Sequence, residues 1–194
     1  MDILEKLFGG VAKVRMMRLF LFNPDTAFPM PKIAKRIKAK QGDVRKELTV
    51  LEKIGLVKRK ATTYGRRKMQ GYVLDPSFPY LEMLDKFLTS ARPLTDKEMI
   101  RKLSRCGKIK MVVLAGIFLK DPDSRADMLV VGDQLKPKAL QNAISAIEAD
   151  MGRELNFAAF ETPDFKYRMS VCDKLVRDIF DYPHITIHDK ISVS

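Results

Sequence analysis

The chemistry this chain offers is recognition of negative charge. Arg45, Lys46, Thr49 and Lys53 lie in a stretch whose apolar residues Val44, Leu48, Leu51 and Ile54 recur at helical spacing, so the polar residues project from the opposite face. An arginine near the start of such a helix has the forked geometry to pair with guanine, and the lysines suit phosphate oxygens. Lys32, Lys35 and Arg36 come just before this helix, together with Lys38 and Lys40. Lys58, Arg59, Lys60, Arg66, Arg67 and Lys68 come just after it. If several of these neutralise phosphates together, each adds about 0.9 to the salt slope of binding.

A basic helix face by itself also fits an ordinary solvated surface, so the distribution of charge decides. The chain has 194 residues and a formal net charge of +12. Residues 1–92 hold 20 Lys/Arg against 9 Asp/Glu, and residues 93–194 hold 16 against 15. Solubilising lysine would charge both halves, whereas a polyanion partner explains a charge confined to one.

Other chemistry is sparse. Cys106 and Cys172 lie far apart without CxxC spacing, which argues against zinc and against a disulfide framework and suits a reducing cytoplasm. His184 and His188 flank Thr186 at strand spacing, which places all three on one face. It also separates the two imidazoles by about 13 Å, too far to share a metal, and both are expected at the surface. Cys172 falls in a helical pattern and is expected as a packed thiol. There is no Ser/His/Asp or Cys/His grouping and no Walker-type glycine loop. The first residues, Met1 to Lys6, lack the basic and apolar regions of a signal peptide, and no run approaches the length of a membrane span. A cytoplasmic protein with no membrane partner is the expectation.

The elements that must position these groups can be read in order. A short helix Asp2–Phe8 is broken by Gly9-Gly10, and a longer one runs from about Ala12 to Leu21. Pro31 suits the first turn of a helix ending at Ile37, and the basic helix spans Asp43–Ile54 with Gly55 as its stop. Val57–Thr62 and Met69–Leu74 read as a hairpin around Gly65, and Pro79–Leu88 as an amphipathic helix. Thr89–Pro93 reads as a linker, giving domains 1–92 and 93–194. Thr95 and Glu98 form a capping-box pattern. Then come a strand Met111–Phe118, a loop Lys120–Ser124, a strand Ala126–Val131, a helix Pro137–Met151 and a strand Leu155–Phe160. Helical pieces Pro163–Met169 and Val171–Phe180 and a strand His184–Ile187 complete the chain. The fold class is α+β in two domains.

With these residues in place, segment 8–88 resembles the winged helix-turn-helix transcriptional regulators of bacteria and archaea. The resemblance is carried by the helix pair Pro31–Ile37 and Asp43–Ile54, the junction Leu51-Glu52-Lys53-Ile54-Gly55-Leu56-Val57 and the hairpin Lys58–Tyr72. It implies three helices, a β-hairpin wing and a further helix. Asp43–Ile54 would then be the recognition helix, double-stranded DNA the partner and a homodimer the acting form.

Segment 95–190 resembles the minimal nucleotidyltransferases of the polymerase-beta-like superfamily, through Leu114–Phe118 and Ser124–Gly132. In that family a strand ends in Gly-Ser or Gly-Gly, and two acidic residues one position apart share a face of the next strand, where they hold metal ions against a triphosphate. Here Gly116 is kept, but Ile117 stands at the small position, Arg125 at the first acid and Asn156 at the third. Asp127 is the one acid retained, and Arg125 is expected to neutralise it. The resemblance therefore implies a catalytically inactive domain, with no metal or cofactor, that serves dimerisation, sensing, or binding of a nucleotide or protein partner. The alternative is an active nucleotidyltransferase with a nucleic-acid-binding domain.

Overall fold

A computed structural model describes residues 3–89, 93–121 and 124–191 of the chain. It is a mixed α+β fold with two sheets, and it divides into two compact units. The first comprises residues 1–94 together with 145–153, and the second comprises 95–144 with 154–194. The expected boundary near residue 92 thus misses a piece of chain that lies 50 residues further on and belongs to the first unit. Among the described residues, no helix is long and apolar enough to cross a membrane.

The first unit runs α1 (Ile3–Leu7), α2 (Val11–Leu21), β1 (Phe28–Pro29), α3 (Met30–Ile37), α4 (Gln41–Lys53), β2 (Val57–Tyr64), β3 (Arg67–Leu74) and α5 (Leu81–Thr89). Its antiparallel sheet has the order β1-β3-β2. β1 was not anticipated, because two residues carry no periodicity and the second is a proline. Gly71 lets β1 in: a Cβ there would lie 2.6 Å from Thr62 Cγ2 and 3.2 Å from the Phe28 backbone. Phe20, Ile33, Ile37, Val44, Leu48, Leu51 and Leu56 form the centre of the core.

Helix α4 ends in a Schellman closure. Gly55, at φ +80°, takes the left-handed conformation, its N–H donates to Glu52 O at 3.0 Å, and Leu56 N–H donates to Leu51 O at 3.0 Å. Leu51 and Leu56 are both buried, so the same turn that stops the helix plants the first residue of the hairpin in the core. The hairpin itself is tight. Tyr64 pairs with Arg67, which leaves Gly65 and Arg66 as the two-residue loop, with Gly65 at φ +61° as a type II′ turn requires.

Residues 145–153 enter this unit through a buried polar cluster. Arg15 donates from Nε to Asp150 Oδ1 at 2.8 Å, pairs with the same oxygen through Nη2 at 2.6 Å, and donates from Nη1 to Ile37 O at 3.0 Å. Arg18, only 3 % exposed, donates to Leu88 O at 3.2 Å and Asp150 O at 3.3 Å. Asn23 donates to Gly152 O at 3.0 Å, and a Cβ on Gly152 would lie 2.6 Å from the Arg18 carbonyl carbon. The ends of α3 and α5 and the 145–153 segment are thereby tied to one face of α2.

The second unit contains α6 (Asp96–Leu103), β4 (Lys108–Leu114), a 3-10 turn (Gly116–Phe118), β5 (Met128–Asp133), the first half of α7 (Pro137–Met151), β6 (Phe157–Glu161), α8 (Thr162–Ser170), α9 (Lys174–Asp181) and β7 (Ile185–Asp189). The sheet order is β6-β5-β4-β7, with β5 and β6 parallel and the other pairs antiparallel. Met111–Leu114 and Met128–Val131 are buried throughout, as continuous apolar runs require.

Several expectations are corrected here. The strand read as Met111–Phe118 stops at Leu114, because Gly116 turns the chain at φ +51° into the 3-10 turn. The strand read from Ala126 begins at Met128, so Arg125 and Asp127 precede it. Cys172 is exposed at φ +52° between α8 and α9 rather than packed. Part of the expected linker, residues 90–92, and part of the expected loop, residues 122–123, lie outside the described residues. His188 pairs with Val112 and Thr186 with Val113, neighbours on opposite faces of β4, so a bulge breaks the single face expected for Thr186 and the histidines. His184 and His188 are half-buried rather than at the surface.

Two stability outcomes are expected. Asp150→Ala leaves Arg15 without its carboxylate, which should cost about 2–3 kcal/mol, below the range for a fully buried pair because Arg15 keeps Ile37 O and some solvent; chemical denaturation of the full chain measures it. The Thr95 backbone N–H and hydroxyl hold the Glu98 carboxyl below its ordinary range. Its contribution is then complete above about pH 4.3 and lost as pH falls through the lowered native value. Glu98→Gln should flatten that acid-side dependence in melts between pH 7 and pH 3.

Candidate nucleic-acid interface

Helix α4 sets the geometry. Val44, Leu48 and Leu51 are buried, and at 100° per residue Gly42, Arg45, Lys46, Thr49 and Lys53 fall within an arc of roughly 100° on the other side. Arg45, Lys46, Thr49 and Lys53 are all exposed. The Thr49 hydroxyl donates to Arg45 O at 3.0 Å within the helix, so what it offers outward is an acceptor oxygen. The buried stripe leaves these side chains one direction to point, and that direction is solvent.

The other predicted residues divide into free and tethered cations. Lys35, Lys60, Arg66, Arg67 and Lys68 are exposed, and no ion pair engages them or Arg45, Lys46 and Lys53 among the described residues. Arg66 stands in the hairpin loop with Arg67 and Lys68 just beyond it, and Tyr64, 43 % exposed, faces Arg67 across the strands. The register of Tyr64 opposite Arg67 depends on a two-residue loop that only the fold establishes.

Four cations have partners inside the unit. Arg59 grips Glu52 with two hydrogen bonds, Nε to Oε1 at 2.7 Å and Nη2 to Oε2 at 3.1 Å, which raise its pKa above the ordinary value. This pair joins the last turn of α4 to the third residue of β2. Lys58 pairs with Asp75 at 3.2 Å, while the Ser77 backbone N–H and hydroxyl do most to hold that carboxyl below its usual range. Lys32 lies over the Phe28 ring at 5.4 Å, and Arg36 is half-buried and partnered. These four brace the surface; the eight free cations populate it.

The charge asymmetry survives the redrawn boundary. Adding Ser145–Arg153, with Glu148, Asp150 and Arg153, lowers the first unit's formal charge only from +11 to +10. The field that attracts a polyanion therefore still belongs to one unit.

In the second unit the degenerate motif residues come together, but differently from the expectation. Asp127 is 5 % exposed, and its Oδ1 accepts from Ile117 N–H at 2.9 Å while its Oδ2 accepts from Asn156 N–H at 2.8 Å. Its own N–H donates to Asn156 O at 2.6 Å, and its carbonyl accepts from Ala115 N–H at 2.9 Å. A Cβ at Gly116 would collide with Asp127 Oδ1, so glycine serves both the left-handed backbone and the close approach. Arg125 does not neutralise Asp127. It is exposed and pairs with Asp178 Oδ2 at 2.8 Å, because the bend before β5 turns it away from the buried carboxylate. Asp127 thus fastens the ends of β4, β5 and β6 together. A cavity of about 380 Å³ opens beside Arg125, Asn156, Phe157 and Leu175. Among the described residues, no group of three or more His, Cys, Asp or Glu is placed to hold a metal.

Asp127→Ala should remove the acceptor for two backbone donors and destabilise the second unit by about 2–4 kcal/mol. Asp127→Asn should recover about half of that loss, since one amide oxygen remains; paired denaturation curves make the comparison. Compared with known protein families, curated proteins and solved structures, the chain matches none.

Proposed function

We propose that the protein is a sequence-specific regulator that binds double-stranded DNA through its first unit. In this reading the order α2-β1-α3-α4-β2-β3 is a winged helix, α4 enters the major groove, and the β2–β3 hairpin lies along adjacent phosphates. The observation that carries the reading is the exposed arc of Arg45, Lys46 and Lys53 on α4, without ion-pair partners among the described residues, together with the exposed Arg66, Arg67 and Lys68 at the tip of the hairpin that follows it. Arg45, one turn into the helix, is the residue suited to a base edge, and the lysines and hairpin arginines suit phosphates. The second unit, read as a nucleotidyltransferase-like domain without catalysis, serves sensing or partner recruitment. Asp127, 5 % exposed and with each oxygen accepting from a backbone N–H, supports that side of the reading, because an active centre of this kind needs several carboxylates open to metal and here one is kept.

Fluorescence anisotropy of the full chain with labelled duplexes over a salt series tests the proposal. With five to eight phosphate contacts, log Kd should rise with log salt with a slope of about 4.5–7. Lys60→Ala and Arg67→Ala should each lower the slope by about 1 and weaken all duplexes alike. Arg45→Ala should cost about 1–3 kcal/mol on a selected site and far less on random DNA. Absence of salt-dependent duplex binding by the full chain overturns the reading.

A further inference from the structure

Helix α5 has more apolar surface than its own core covers. Leu81, Leu84 and Leu88 turn inward, and all three belong to or pack against the first unit's core. On the helical wheel Tyr80, Met83 and Phe87 form a second stripe beside them, within an arc of roughly 60°. That stripe is uncovered: Tyr80 is 65 %, Met83 71 % and Phe87 50 % exposed. Helix α1 repeats the pattern, with Leu4 packed on the core and Ile3 and Leu7, one turn apart, 81 % and 65 % exposed. Phe8, next to Leu7, meets Phe87 edge-on with ring centroids 6.2 Å apart, so the two stripes adjoin.

We infer that this α1/α5 face is the contact between two copies of the chain, related by a two-fold axis near Met83. The area argues for a protein partner of this size. Taking the whole surface of a large apolar residue as on the order of 200 Å², the five exposures leave roughly 650 Å² of side chain uncovered per copy. A standard stable interface covers about 800 Å² per partner, and the largest apolar patch on an ordinary monomer is about 300–600 Å². The charges argue for a second copy. The stripe is bordered on α5 by Glu82 and Lys86, one acid and one base a turn apart, 2.6 Å from each other and both well exposed. Antiparallel crossing of two α5 helices brings each Glu82 toward the other copy's Lys86 and each Tyr80 toward the other copy's Phe87. A polyanion would find neither an apolar stripe nor an acidic border complementary. The interface is isologous, as a closed dimer requires, and it does not depend on the nucleic-acid reading.

Sedimentation velocity of the full chain over a concentration series tests this. The wild type should sediment at twice the 22.2 kDa chain mass. Met83→Glu, which places a charge near the axis, should shift it to monomer and raise the dimer dissociation constant at least 100-fold. Met83→Leu should remain dimeric. Met83 points into solvent in the single chain, so far-UV circular dichroism of Met83→Glu should match the wild type, separating loss of association from loss of fold. A wild type that stays monomeric at 100 µM, or a dimer indifferent to Met83→Glu, overturns the inference; a monomer that still binds duplex in a salt-dependent way would do so while leaving the DNA reading intact.

Discussion

The closure of α4 at Gly55 is the constraint on which the candidate surface depends. A helix can present cations to a partner only if its other face is anchored and its end is fixed against the next element. Here Leu51 and Leu56 supply the anchor, and the left-handed glycine between them sets the angle at which the hairpin leaves. Lengthening the helix by one residue would rotate the departing strand by about 100° and carry the hairpin's arginines away from the arc that holds Arg45. The Arg59–Glu52 pair then braces the same junction from outside. Exposed pairs contribute little to stability, so the brace orients the hairpin rather than holding it folded. The apolar closure carries the energy.

The buried charges follow a different logic from the exposed ones. Asp150 and Asp127 are each almost without solvent contact, and each carboxylate is engaged, the first by Arg15 and the second by two backbone donors. A buried carboxylate without such partners would cost several kcal/mol, so its partners must be placed by the fold before it can be buried. Both residues therefore act as clasps. Asp150 ties a distant stretch of chain to α2, and Asp127 draws three strand ends together. These interior clasps are distinct from the paired surface charges, such as Arg59 with Glu52, and from eight cations of the first unit that have no ion-pair partner among the described residues.

The sequence was informative wherever a local rule governed the outcome. Pro31 and Gly55 bracketed α3 and α4, Gly65 marked the hairpin turn, Thr95 and Glu98 formed their capping box, and Pro137–Met151 was read with both ends in place. The burial of Val44, Leu48 and Leu51 on α4 followed from its 3.6-residue period, and so did the exposed placement of Arg45, Lys46 and Lys53, whereas Ile54, expected on the same apolar face, is the C-cap and 52 % exposed. Sequence reading failed where geometry joins distant residues. Arg125 and Asp127 read as close neighbours on one face, but a bend separates them: Arg125 pairs with Asp178, while Asp127 accepts from Ile117 and Asn156, 10 and 29 residues away. The two-residue β1, the bulge that parts His188 from Thr186, and the left-handed Cys172 leave no periodic signature. The 145–153 segment is the clearest case, since nothing local in Glu148-Ala149-Asp150 tells that its carboxylate answers Arg15.

That same segment bears on what the first unit is. Cut at residue 94, the chain would keep its hairpin and α4 but lose Asp150 and Gly152, and with them the carboxylate partner of Arg15 and a carbonyl partner of Arg18 on α2. The truncation would also open to water the apolar surface that this segment covers, and that loss of burial adds to the loss of the Arg15 ion pair. Arg15 also reaches Ile37 O, the last residue of α3 and the start of the turn into α4. The carboxylate of Asp150 thus lies two hydrogen bonds from the turn that orients the basic helix. Any account of how that helix is held in place has to include residues encoded more than a hundred positions later, and the shortest chain that can display the basic surface intact is one that contains them.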